Sequence, residues 1–179
     1  MTGIEQLCPN CGLCCDSTLF ADVELSAADD AQALSKLGLT VLPKTKTKLA
    51  FAQPCACFDG RLCKIYADRP KRCRLFVCGL LKRVECGEMT AGAALKKISL
   101  ARARAAQVRE LLDQSGPQDD QGRAAPAPWH DEQTALTHRY ATVMSAPVDL
   151  SVEGEAERRG KLMLAVNDLM QMLERDFLR

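Results

Sequence analysis

Apolar residues recur with a helical period over three stretches of this chain and pass into a strand-like pattern over one. From Thr90 to Gln114, Leu95, Ile98, Ala101, Ala105, Val108 and Leu112 fall three or four apart, which places them on one helix face. Lys96, Lys97, Arg102, Arg104 and Arg109 lie elsewhere around it, predicting a helix that packs one stripe and solvates the rest. Ser151 to Phe177 repeats the pattern with Leu162, Val166, Leu169, Leu173 and Phe177, widened by Met163, Met170 and Met172. Asp131 to Met144 reads as a shorter helix. Leu39 to Phe51 mixes β-branched and apolar residues with Lys44-Thr45-Lys46-Thr47-Lys48, predicting an edge strand or exposed hairpin with a solvated lysine face.

Caps and breakers set the boundaries. Ser26-Ala27-Ala28-Asp29 has the form of a capping box opening a short helix that turns Ala33, Leu34 and Leu37 inward and ends at Gly38. Asp68-Arg69-Pro70 predicts a cap and a helix-starting proline ahead of Lys71 to Glu85, closed by Gly87. Residues 1–20 and 54–63 read as loops carrying cysteines, and residues 114–129 read as a linker rich in proline, glycine and polar residues. The chain therefore divides into a cysteine-rich unit with its following helix (1–113), the linker (114–129) and a helical C-terminal region (130–179). The fold class expected is mainly α, with a small irregular cysteine-rich metal-binding region and at most a short β-hairpin.

Composition narrows the function. The chain has 179 residues, enough to bury a core without disulfides, and its formal charge of +1 provides no global field for nucleic acid, so none is expected as a partner. Neither a basic leader nor an apolar run near the ~20 residues of a membrane span is present, which predicts a cytoplasmic protein without membrane contact. Ten cysteines stand in the chain and none follows Cys86. In a reducing compartment, thiols this dense read as metal ligands or redox groups in preference to disulfides.

Cys8-Pro9-Asn10-Cys11-Gly12 has the form of a metal knuckle, with Gly12 suited to positive φ. That spacing is shared by zinc ribbons, rubredoxin-like iron sites and cluster proteins, so it names a metal site without naming the metal. Cys8, Cys11 and Cys14 reproduce the C-x2-C-x2-C run of bacterial ferredoxins, but no fourth cysteine follows three residues on. Adjacent Cys14 and Cys15 point to opposite sides of an extended backbone, which suggests two metals or a bridge. Cys73 and Cys78 are five residues apart, about 500° of ideal helical rotation, so they share a site only if the helix breaks. No nucleophile elbow, phosphate-binding loop, dinucleotide glycine pattern or H-E-x-x-H stands in the chain, and His130 and His138 are too far apart for a ligand pair. Enzymatic activity is therefore left open.

The order C-x2-C-x2-C-C, then Gln53-Pro54-Cys55, Phe58, Cys63-Lys64-Ile65-Tyr66, Arg69-Pro70, Cys73-Arg74, Phe76 and Cys78, resembles the YkgJ-type cysteine-cluster family, a zinc- or iron-chelating domain. The resemblance runs from residue 8 to about residue 100 and implies eight metal ligands: Cys8, Cys11, Cys14, Cys15, Cys55, Cys63, Cys73 and Cys78. Cys55, which follows proline, is preferred over Cys57, and Cys86 reads as a packing residue. The implied cofactor is zinc or iron, mononuclear or as an iron-sulfur cluster. Eight thiolates suit two four-sulfur sites, or one cluster with the remaining cysteines structural or in a second site. Arg61, Lys64, Arg69, Lys71, Arg72 and Arg74 are expected to offset thiolate charge, and Tyr66 and Phe76 to shield the metal from water. The flagellin lysine methylases look similar in their C-x2-C-x2-C-C segment, which keeps an iron-sulfur-dependent enzyme or subunit as an alternative, beside metal trafficking or storage. Expected partners are metal ions and, through the C-terminal helices, a protein or a second copy of the chain.

Overall fold

The computed structural model describes residues 3–115, 134–148, 151 and 153–179, with side chains from Leu7 onward. Most of the linker, together with Trp129, His130 and the first residues expected to be helical after it, lies outside the described residues.

The helical pattern from Thr90 becomes α5 (Ala91–Asp113), whose first turn is capped by the Thr90 hydroxyl accepting from the Ala93 amide at 3.2 Å. Its buried stripe is Ala94, Ile98, Ala101, Ala105, Val108 and Leu112, so small residues let neighbouring helices approach closely. Around it pack α1 (Gly3–Cys11), α4 (Gly79–Glu85), α6 (Leu136–Ser145) and α7 (Glu155–Leu173), which continues into a π-helical turn over Glu174–Leu178. A single apolar core joins Leu7, Leu13, Leu80 and Leu81 of the cysteine-rich unit to Leu136, Val143, Leu162, Leu169, Leu173 and Phe177 beyond the linker. The C-terminal helices thus complete the packing around α5.

The polar side of α5 is not simply solvated, contrary to expectation. Arg109 donates to the Asp16 carbonyl and to the Thr18 hydroxyl, both at 2.9 Å, and Arg104 donates to the Asp168 carbonyl at 3.0 Å. Lys97 pairs with Asp176 at 2.9 Å. On α7, Met172 is buried as expected, but Met163 and Met170 are half exposed, at 50% and 51%. They sit outside the stripe through Leu162, Leu169 and Leu173 that the 3.6-residue period directs inward.

Gly79 opens α4 against the last turn of the chain, and a Cβ placed there would overlap the backbone carbonyl oxygen of Arg179. Gly79→Ala should therefore displace the segment carrying Asp176 and Phe177 and cost about 2 kcal/mol in urea unfolding, although alanine is the better helix former. A cost below the propensity difference would show that the last turn shifts freely.

The second, smaller half holds three short antiparallel strands, β1 (Asp22–Glu24), β2 (Val41–Pro43) and β3 (Leu49–Ala52), in the order β1-β3-β2. The hairpin expected from residues 39–51 is β2–β3, and β1 joins its other edge. Glu24 accepts Lys44 at 3.3 Å, Lys48 at 3.0 Å and Arg72 at 3.3 Å, so two of the hairpin lysines are ion-paired and not only solvated. Beneath the sheet, Leu34, Leu39, Phe51, Cys57 and Ile65 form a core of five buried residues.

The helix expected after Ser26 is α2 (Ala31–Lys36), but its cap is Asp30, whose carboxylate accepts from the amides of Gln32 and Ala33, both at 2.9 Å. Ser26 and Asp29 instead close a turn on each other, and the free oxygen of Asp29 accepts the Lys71 amide at 2.7 Å. Only Leu34 of α2 is buried; Ala33 and Leu37 face outward. The region expected to be helical from Lys71 to Glu85 is broken into α3 (Lys71–Leu75) and α4 by three non-helical residues, Phe76 to Cys78. The first twenty residues are not one loop, since α1 runs through Cys8 and Cys11 to Gly12. No helix among the described residues is long and apolar enough to cross a membrane.

Candidate metal centre

A cavity of about 840 Å³ lies where the helical core and the small sheet half face each other. Its wall includes Cys8, Cys11, Cys14, Cys15, Cys55, Cys63, Cys73 and Cys78, drawn from four separated segments. Neither Cys57 nor Cys86 reaches it.

Local structure explains the convergence. Cys8 and Cys11 are three apart on α1 and so share a face. Gly12, at φ +74°, ends the helix in the left-handed region and turns the chain so that Cys14 and Cys15 follow at once. It also carries no Cβ because the Phe58 ring is packed on it; a Cβ would stand 2.6 Å from that ring's tip. The Cys55 amide donates to the Cys15 carbonyl at 2.8 Å, and Phe58 pairs with Cys63 in an isolated bridge, which brings the second cysteine loop against the first. Cys73 rides on α3, and the break after it leaves Cys78 at the N-cap of α4, where its sulfur accepts the Leu81 amide at 3.4 Å. The helix is thus interrupted between the two cysteines, and both face the cavity.

Electrostatic neighbours divide the thiols into two groups. Burial raises Cys8 and lifts Cys11 to about 12, and ionised Cys78 would push both up further. Cys14 is raised well above the ordinary thiol value by burial, then by Cys11, Cys15, Cys78 and Cys8. Cys15 is pushed by burial to about 12, with added repulsion from Cys55, Cys63 and Cys73. Burial takes Cys55 and Cys73 to about 11; Cys55 also meets the charges of Cys57 and Cys63, and Cys73 that of Cys63. The first set is then Cys8, Cys11, Cys14 and Cys78, and the second is Cys15, Cys55, Cys63 and Cys73, meeting at the vicinal pair.

The donor chemistry fits a soft or borderline cation. Backbone hydrogen bonds from Leu13 and Cys57 favour the thiolate forms of Cys11 and Cys55, as amides near thiolate metal sites do. Among the described residues, no three cysteine, histidine, aspartate or glutamate side chains already stand closely enough to hold one ion. A metal held by these cysteines would require their thiols to move closer together than they stand here. Gln53 is 2% exposed on the cavity wall and its Oε1 has no hydrogen-bond partner, so a polar group there is left for an incoming donor. The residues alone signalled Gln53 only through its place in the Gln-Pro-Cys run.

Of the six cations expected to offset thiolate charge, Arg69 acts on both sets, lowering Cys8 and Cys73. Its guanidinium lies 3.7 Å from the Tyr66 ring centroid and its Nε donates to the Tyr66 carbonyl at 3.0 Å. Lys64 acts on Cys57, and Arg72 is engaged by Glu24. Tyr66 and Phe76 are not core residues but half-exposed rim residues, with Phe76 edge-on to Phe20 at 5.0 Å. The doubt over the 55–57 segment is narrowed by packing: Cys57 is buried in the small core and its thiol donates to the Leu37 carbonyl at 3.2 Å. Cys86 is exposed, just past α4. His138 is exposed on α6.

A helical scaffold and a small sheet that turn eight thiols toward one cavity define a cysteine-cluster domain. Residues 7–92, just under half of the chain, match the model of the family described as "CxxCxxCC: putative zinc- or iron-chelating domain". No curated protein and no solved structure gives a significant match to the chain.

Proposed function

We propose that the protein chelates zinc or iron through the eight cavity cysteines, arranged as two four-thiolate sites that meet at Cys14 and Cys15. The carrying observation is the sorting of the cysteines: eight line one cavity, their electrostatic neighbours fall in two groups of four, and Cys57 and Cys86 are not on its wall, Cys57 standing behind Cys55. Four thiolates per ion satisfy tetrahedral zinc or iron, and splitting the vicinal pair between sites avoids asking adjacent residues to chelate one ion. Because burial holds Cys11 and Cys15 protonated, metal uptake would displace protons and tighten as pH rises. Each filled site carries net −2, which Arg69, near a thiol from each set, would partly offset.

One observation favours an iron-sulfur cluster in the first set. Its three cysteines in C-x2-C-x2-C spacing gain a distant fourth in Cys78, and ferredoxin triplets likewise take their fourth ligand from elsewhere in the chain. Anaerobic purification followed by elemental analysis and an absorption spectrum on one sample separates the readings. Two colourless zinc ions support the paired four-thiolate sites; a brown protein with iron and sulfide replaces the first with a cluster. Absence of stoichiometric metal would overturn both.

Cys57→Ala and Cys86→Ala should leave metal content unchanged. The first should cost about 1 kcal/mol in urea unfolding by removing a buried sulfur and its hydrogen bond, and the second less than about 0.5 kcal/mol. Loss of an equivalent of metal from Cys57→Ala would move the ligand assignment from Cys55 to Cys57.

A further inference from the structure

The two sets are built on unequal supports. Cys8, Cys11, Cys14 and Cys78 alternate with Leu7, Leu13, Leu80 and Leu81, all buried in the large helical core. The backbone that presents the first set is therefore held by packing that extends to α5, α7 and Phe177. Cys55, Cys63 and Cys73 pack against a core of only five buried residues, one of them Cys57, and Cys15 meets them from the edge of the helical half through its carbonyl, which accepts the Cys55 amide. The helix carrying Cys73 buries no side chain of its own, and its Leu75 is 65% exposed. A segment with so little apolar burial cannot offset its chain entropy unaided, which is the circumstance in which small folds rely on a metal. Access differs at one position: Cys8 is exposed at the cavity edge, whereas Cys11, Cys14, Cys78 and all four cysteines of the second set are partly buried.

We propose that the first set is an exchange site, in which Cys8 gives way to an exogenous thiolate, and that the second set is a structural staple. The exchange is a ligand substitution without change of oxidation state. The incoming thiol loses its proton as its sulfur binds the metal, and the Cys8 sulfur leaves the metal and takes up a proton. The cavity has room for such a ligand, since one water-sized occupant takes about 30 Å³ and the cavity is about 840 Å³. Small thiols and thiolate-bearing metal acceptors are the ligand class, because a soft donor is what replaces a cysteine on zinc or iron.

This inference rests on the two-site reading and is tested on the full chain loaded with zinc. Dithiothreitol is the exogenous thiol, a chromogenic chelator reports release, and far-ultraviolet circular dichroism with amide hydrogen exchange reports structure. One equivalent should leave in a fast phase with residues 49–75 still protected, and the second should leave slowly as that protection is lost. Cys8→Ser, at an exposed position on a scaffold held by packing, should fold and speed the fast phase by about tenfold or more while leaving the slow one unchanged. Cys63→Ser should abolish the slow equivalent and leave the fast one. Release of both equivalents in one phase, unfolding of residues 49–75 with the first equivalent, or a fast phase indifferent to Cys8→Ser would overturn the inference. Failure of the wild-type chain to take up two equivalents would instead sink the two-site reading, and the inference with it.

Discussion

On the two-site reading, Cys73→Ala is expected to remove one equivalent of metal and the order of residues 49–75 together. The helix that carries Cys73 is five residues long, has no buried side chain, and is otherwise fixed by the Lys71 amide on Asp29 and by its own turn. Removing the thiol leaves Cys15, Cys55 and Cys63 on a weakened site in a half with five buried core residues. Whole structural zinc sites contribute roughly 10–16 kcal/mol of apparent folding free energy, so loss of one ligand in four should cost this half more than about 3 kcal/mol. Elemental analysis should fall by one equivalent, and hydrogen exchange should rise across the sheet while α5 and α7 stay protected. Intact protection of the sheet would mean that its small core suffices alone. Unchanged metal content would remove Cys73 from the ligand set.

The second large effect lies in the last turn of the described residues, where the neighbouring Phe177 reaches the cavity wall. Asp176 is 1% exposed in the π-helical turn, and its carboxylate accepts Arg83 at 3.0 Å, Lys97 at 2.9 Å and Arg175 at 2.8 Å. Burial pushes its pKa up, but the hydrogen bonds from Arg175, Lys97 and Arg83 outweigh that and hold the carboxyl well below the usual range. Asp176→Asn removes the charge and leaves three cations facing an amide. The partners are between one-third and two-thirds exposed, so solvent limits the loss to about 2 kcal/mol at neutral pH. A carboxyl depressed in the folded state contributes fully above its unfolded value near 3.9 and is lost as pH falls through its lower folded value. The stability gap between wild type and Asp176→Asn should therefore close in acid, and a gap that persists there would show that the amide fails by packing and not by charge.

Much of this architecture was legible in the spacing of residues. The stripes of α5 and α7 follow from period alone, because each faces a large apolar core that rewards it. The break between Cys73 and Cys78 was legible only on the condition that the two thiols share a site, because an unbroken helix aims them about 140° apart; the break is present, but the two thiols have different cysteine neighbours. What could not be read was set by partners distant in sequence. Cys8 and Cys11 looked like a loop knuckle, yet the same C-x2-C spacing also fits a helix, and packing of Leu7 and Leu13 against α5 selects the helix. Asp29 looked like a cap for the helix after it, but it serves one that begins forty-two residues on, at Lys71. The vicinal pair already suggested two metals or a bridge, but the membership of the two proposed sets was not readable, since it depends on Cys78 having the first three cysteines as neighbours while Cys15 faces those of the second loop.

The loop after the vicinal cysteines carries a last consequence. Ser17 holds a left-handed backbone at φ 71°, and its buried hydroxyl accepts the Leu136 amide at 3.2 Å across 119 residues of chain. Asp16 and Thr18 on either side are gripped by Arg109. During synthesis, then, the cysteines of the opening segment leave the ribosome first, yet the loop that presents them gains its final anchor only when α6 has emerged. Metal acquisition should accordingly be a late event, and a nascent chain stalled before residue 136 should hold its first cysteines in a form that binds metal weakly.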